Sequence, residues 1–171
     1  MKKKFLLLST LAAAICLSTA FAYCLSLSGN TAERREKLLD NAGPKGKNWS
    51  IVKEIEIDGY IVSAACSADD QAAIAVFKPT PHGSYRISSS TRRNNDEIII
   101  AGAPINGQWY DLIWYHGAQT EYAEIIYSAY GKEDEILKYN TADMDIICIK
   151  NDEKTYTLSV CYYDSEGNQY K

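Results

Sequence analysis

The stretch Gln108–Tyr130 opens with large apolar and aromatic side chains on both faces. Trp109, Asp111, Ile113 and Tyr115 alternate there with Tyr110, Leu112, Trp114 and His116. Few polar groups interrupt the run, which predicts a strand covered on both sides. A turn signal at His116-Gly117-Ala118-Gln119 follows, and then a second β-rich run from Glu121 to Tyr130. The two runs read as the central hairpin of an antiparallel sheet.

The other segments read as shorter strands. Ile51, Ile55 and Ile57 alternate with charged positions, Asp58-Gly59 is a tight-turn dipeptide, and Tyr60 to Cys66 runs back. Ala72 to Lys78 is a buried strand broken by Pro79-Thr-Pro-His-Gly83, and Tyr85, Ile87 and Ser89 mark a half-buried strand after it. Thr91 to Asp96 reads as a charged loop, and Glu97 to Ala103 as a further buried strand. Asn106-Gly107 is the second hairpin signal. Glu135 to Asn140 and Met144 to Lys150 follow. A last hairpin turning at Asn151 to Lys154 pairs Lys150 with Thr155, Ile147 with Leu158 and Ile149 with Tyr156. About ten short strands, with no helix after residue 42, predict an all-β fold. A sandwich or a barrel fits that spacing, and the expected form is an antiparallel β-sandwich, with an immunoglobulin-like C-terminal half as one version of it.

The N-terminus has another pattern. Met1-Lys2-Lys3-Lys4 precedes an apolar run from Phe5 to about Leu27, a basic region and an apolar core that together form an export signal. Ala20-Phe21-Ala22 is a cleavage signature, which predicts a removed signal peptide. The run is also long enough for an uncleaved membrane anchor through residues 5–27. Cys16 and Cys24 raise lipidation as a third outcome, disfavoured because neither follows a small residue in the way a lipidated Cys does. Each outcome puts the domain outside the cytoplasm. Asn30, with Glu33 three residues on, predicts a capped helix. Only Ala32, Leu38 and Leu39 are apolar there, which predicts a solvated stalk. The expected organisation is a signal peptide or anchor over 1–28, stalk helix and linker over 29–48, and an extracytoplasmic β domain over 49–171.

Composition narrows the function classes. The net charge of −4 lacks the dense basic face of a general nucleic-acid binder. Cys66, Cys148 and Cys161 form no C-x-x-C, so neither a zinc ribbon nor a thioredoxin-type site is expected. In the last-hairpin register, Cys161 and Cys148 stand about 13 Å apart, beyond disulfide reach. They read as small buried thiols, with Cys66 left able to pair across sheets. The two histidines, His82 and His116, have no triad or zinc motif around them. Asp69-Asp70, Glu121 with Glu124, and Asp143 with Asp145 read as solvated charges, with no calcium-loop pattern behind them. No catalytic residue, metal site or cofactor is expected, and the chain reads as a protein that is not an enzyme.

Two features remain as candidate ligand contacts. Arg86, Arg92 and Arg93, with Lys78, are the one basic cluster of the domain, suited to an anionic polymer or lipid headgroup. Trp109, Trp114 and Tyr115 lead a set of aromatics larger than one inward stripe needs, with Tyr122, Tyr127 and Tyr130 after them. Expected partners are an envelope protein, a polymer or a lipid headgroup, and not nucleic acid.

The segments IAVFKP, SYRI, RRNNDEIII and INGQWYDLIWYHG, behind a Lys-rich apolar N-terminus, resemble small uncharacterised exported or membrane-anchored bacterial proteins. The resemblance spans roughly residues 1–130 and brings no activity with it. The sequence therefore predicts a binding or accessory module of the cell envelope. The second expectation is a secreted inhibitor or immunity-type protein that presents Pro79–Gly83 or Thr91–Asp96 to a partner enzyme.

Overall fold

The computed structural model describes residues 28–43, 47–94, 98–115, 121–129, 131–140, 145–152 and 155–169. The export segment, His116, Tyr130 and Asp143 lie outside these residues. No helix among the described residues is long and apolar enough to cross a membrane.

The chain is an all-β sandwich, and its described residues form one short helix, α1 (Ala32–Asn41), and ten strands. These are β1 (Trp49–Ile57), β2 (Tyr60–Ser67), β3 (Gln71–Pro79), β4 (Tyr85–Asn94) and β5 (Ile98–Ile105). The rest are β6 (Gln108–Tyr115), β7 (Tyr122–Ala129), β8 (Glu135–Asn140), β9 (Ile146–Asn151) and β10 (Tyr156–Tyr163). They form three antiparallel sheets in the orders β1-β2-β3-β4, β5-β6-β9 and β10-β7-β8.

Two strand periodicities set the layering. In β3, Ala72, Ile74 and Val76 pack with Ile99, Ala101, Leu112 and Trp114 of the β5-β6-β9 sheet. The alternate residues Ala73, Ala75 and Phe77 pack with Leu39 of α1 and Trp49. β3 is thus buried on both faces, which is why it reads as an unbroken apolar run. β6 repeats the device one layer down. Leu112 and Trp114 face the first sheet, while Tyr115 packs with Ala123 and Tyr162 of the third. The result is a stack of helix, first sheet, middle sheet and third sheet, with the middle sheet shared by two interfaces. Each fully buried Val, Leu or Ile in these layers contributes about 1.5–3 kcal/mol.

Both Gly-containing hairpins form as expected. Asp58 and Gly59 take φ of 50° and 77°, and Asn106 and Gly107 take 48° and 80°, the left-handed pair that matches the twist of the flanking strands. Other expectations are corrected. The central hairpin does not form: β6 pairs with β5 and β9, while β7 pairs with β10 and β8. Each is the middle strand of its own sheet. The last hairpin does not form either. Ile147 lies opposite Ile113 and Leu158 opposite Tyr127, so β9 and β10 belong to different layers. The six strands from β5 onward make two facing three-stranded sheets, and the upper one also covers β2 and β3. The two halves of the domain therefore share a layer.

Arg92 and Arg93 lie within β4, where a charged loop was expected. Thr31, rather than Asn30, caps α1, its Oγ1 accepting from the Arg34 N–H at 3.4 Å. The helix is no solvated stalk. Leu39 is fully buried against Trp49 and Phe77, and Arg35 is buried with its Nε and Nη2 donating to Glu54 at 2.8 and 2.6 Å. Ser63 adds its hydroxyl to the same carboxylate at 2.5 Å.

Candidate functional site

The structure disperses the basic cluster. Arg92 lies on the helix side of β4, where its guanidinium donates to the Leu39 carbonyl at 3.0 Å and the Ala42 carbonyl at 3.3 Å. Its cation also stands over the Trp49 ring at 5.7 Å. Arg92 therefore closes the C-terminal end of α1, where orphan carbonyls and the helix dipole both favour a cation. Arg93 is exposed, but its cross-strand partner is Ala72, so it sits on the opposite face. Arg86 is roughly 20 Å away at the other end of β4, directly across from Lys78. Lys78 and Arg86 stay together, and the other two arginines do not join them.

The aromatic set separates as well. Trp114 is 1% exposed and fills the interface between the first and middle sheets; Tyr115 is 5% exposed and meets Tyr162 at 5.6 Å in the next interface down. Tyr122 stacks on Tyr163 with centroids 4.7 Å apart, and the Lys138 ammonium lies over its ring. Among the described members of the set, Trp109 alone keeps a large exposure, 47%. Its indole lies across Gly102 so closely that a Cβ on that glycine would stand 2.5 Å from Cζ2. Glycine in a strand interior often marks such a close approach. The Cζ2–Nε1 edge of the ring is therefore held against the sheet, while nearly half of the side chain stays open to solvent.

Beneath this indole is a polar cluster that the sequence pattern does not reveal. Asp111, 4% exposed, accepts from the Tyr156 hydroxyl at 2.7 Å and from Asn151 Nδ2 at 3.1 Å. Tyr127 donates in turn to Asn151 Oδ1 at 2.8 Å, and its ring stacks on Tyr156 at 5.1 Å. Asp111 and Asn151 come from the middle sheet, and the two tyrosines from the third, so the cluster joins the layers. Both carboxylate oxygens are engaged, which is how a buried carboxylate is held without a large desolvation cost. Burial, and then the hydrogen bond to Asp111, push the Tyr156 phenol above its ordinary pKa, so at neutral pH it stays a donor. The signals for this cluster are a lone Asp in an apolar strand and a Gly in its neighbour; the partners come from strands 40 and 45 residues away.

The remaining candidates resolve as structure. Asp69 pairs with Lys47 and accepts from Ser67 Oγ at 2.6 Å; Asp145 pairs with Lys53. Among the described residues no group of three His, Cys, Asp or Glu side chains is arranged to hold a metal ion. Cys66, Cys148 and Cys161 are free thiols and half-buried. The Cys148–Cys161 spacing changes with the strand pairing: Cys148 faces Leu112 in the middle sheet and Cys161 faces Glu124 in the third. Between these sheets is a cavity of about 30 Å³, lined by Ile113, Tyr115, Ile125, Ile147 and Val160 among others. That is room for roughly a water molecule or two.

The architecture defines the class as an all-β sandwich, and no more is inherited from known proteins. Comparison with family models, curated proteins and solved structures finds no match.

Proposed function

We propose that this protein is a non-catalytic binding or accessory module on the extracytoplasmic side of a bacterial envelope, with Trp109 as its principal contact. The observation that carries the reading is the indole held against Gly102 with nearly half of the side chain open to solvent. An immobilised aromatic has little conformational entropy left to lose, so it suits a ring-faced ligand such as a sugar of an envelope polymer, or an apolar anchor of a partner protein. The buried Asp111 serves architecture here, since both its oxygens are engaged between the sheets.

The test is retention of crosslinked native envelope components by full-length wild type and Trp109→Ala, read by mass spectrometry. Removing a central aromatic anchor is expected to weaken retention roughly 30-fold. Equal retention by the two proteins would remove Trp109 from the reading.

A second reading, a secreted inhibitor, has one observation in its favour. The turn from Thr80 to Ser84 is braced by a backbone bond from Thr80 N–H to the Ser84 carbonyl at 2.7 Å. A second brace joins the Thr80 and Ser84 hydroxyls, also at 2.7 Å. Pro81, His82 and Gly83 project from it in the open. A rigid exposed loop of this kind is what an inhibitor needs. Pull-down of one stoichiometric enzyme, lost on replacing Pro81-His82 and kept in Trp109→Ala, would favour it.

A further inference from the structure

We propose that Lys78 and Arg86 form a contact for anionic lipid headgroups, set at the membrane surface by the point where the N-terminal apolar run joins the domain. The inference rests on reading residues 5–27 as a retained anchor. Its first support is position. The apolar run ends at Leu27, and two residues later the Gly29 N–H donates to the Tyr85 carbonyl at 2.8 Å. Two residues span at most about 7 Å, so the start of β4 is close to the end of the run. Tyr85 is paired with Pro79, and the next pair along the ladder is Lys78 with Arg86. The bilayer's polar interface adds roughly 5–7 Å beyond each side of its apolar core, within reach of both side chains.

The second support is charge. Lys78 and Arg86 are exposed, directly opposed across the strands, and without an ion-pair partner among the described residues. Like charges in that arrangement oppose folding, and an anion between them removes the conflict. The pair also lines a shallow groove with Pro79, Thr80 and Pro81. A guanidinium beside an ammonium there supplies donors for a phosphodiester. The other two arginines take no part, since Arg92 closes the helix and Arg93 lies at the far end of β4.

The experiment uses the full chain with phosphatidylcholine vesicles, with or without phosphatidylglycerol at roughly one third of the lipid. Flotation on pure phosphatidylcholine reports the anchor, and hydrogen exchange over Thr80–Ser84 reports the headgroup contact. Phosphatidylglycerol is expected to slow that exchange about fivefold, the weight of one surface cation near an anionic bilayer. The effect should vanish in Lys78→Gln/Arg86→Gln and at about 1 M salt, where the screening length is about 3 Å. Equal exchange on both vesicles, or an effect the double variant retains, overturns the proposal. If the chain does not float on phosphatidylcholine, the anchored reading fails. Salt-sensitive recruitment to phosphatidylglycerol, lost in the double variant, would then support the headgroup site by itself, and no recruitment would overturn both.

Discussion

Arg35 on α1 and Glu54 on β1 form a two-point ion pair, Nε to Oε1 at 2.8 Å and Nη2 to Oε2 at 2.6 Å, and so dock the helix on the first sheet. The same guanidinium donates from Nη1 to the Gly29 carbonyl at 2.6 Å. Removing the cation leaves a carboxylate in a partly dry interface. Glu54 keeps 26% of its side-chain exposure, which tempers the cost. Arg35→Met is expected to destabilise the fold by about 2–3 kcal/mol, and Arg35→Met/Glu54→Leu to recover part of that loss. Urea unfolding checks both; a single variant within about 0.5 kcal/mol of wild type would show the pair to be incidental.

Arg92 and Arg93 are neighbours in sequence with opposite structural weight. Arg92→Ala frees two carbonyls at the end of α1 and the cation over Trp49, and is expected to cost about 1–2 kcal/mol. Arg93→Ala should stay within about 0.5 kcal/mol. Neither should change vesicle recruitment. Thermal melts of the two variants side by side decide it, and equal shifts would contradict the assignment.

How much of this was legible in the sequence depends on which physical signal carried it. The two Gly turns, the doubly buried β3 and the all-β class follow from side-chain period and backbone chemistry. The partner of β6 does not follow. Its two apolar faces report cover on both sides, and the same pattern suits a hairpin arm or the middle strand of a middle layer. A turn signal after Tyr115 likewise marks a reversal without saying which layer the chain reverses into. The stalk expectation fails because a polar helix residue need not be solvated: Arg35 has a half-buried partner 19 residues away that makes it part of the interior. At the site, Trp109 was identifiable as a candidate, but its exposure was not, since alternation placed it beside Asp111 and Ile113. Asn151 and Tyr156 join the cluster only through pairings between sheets.

Gly102 fixes the pose of the Trp109 indole. Gly102→Ala sets a methyl group 2.5 Å from Cζ2, closer than packed carbons stand, so the ring must shift. Trp49 and Trp114 are buried, which makes Trp109 the tryptophan open to acrylamide. Quenching is expected to rise in Gly102→Ala and to fall nearly to background in Trp109→Phe. An unchanged quenching constant in Gly102→Ala would mean that the ring is not pinned.

Cys148 gives the fold an alkaline limit. Burial pushes its thiol from an ordinary 9.0 up to about 12. Between those values the unfolded chain has released the proton and the folded chain still holds it, so stability falls as pH rises through the window and is unaffected below it. Cys66, raised by burial and then by Asp70, acts in the same direction. Cys148→Ala is expected to flatten the fall between about pH 9 and 10, before the tyrosines contribute. Unfolding free energies at pH 8 and 10 measure it; an equal drop in variant and wild type would mean that the thiol is not responsible.

β9 is hydrogen-bonded to β6 in the middle sheet, while the strands before and after it, β8 and β10, lie in the third. The chain is thereby stitched through two layers near its end. The third sheet cannot swing away as a unit without drawing a strand from beneath the first. The pairing of Trp109 with Asn151 also means that the middle layer stays open on one edge until the last fifth of the chain has been made. The interior can therefore close only after β9 has joined β6, however early the first sheet has formed.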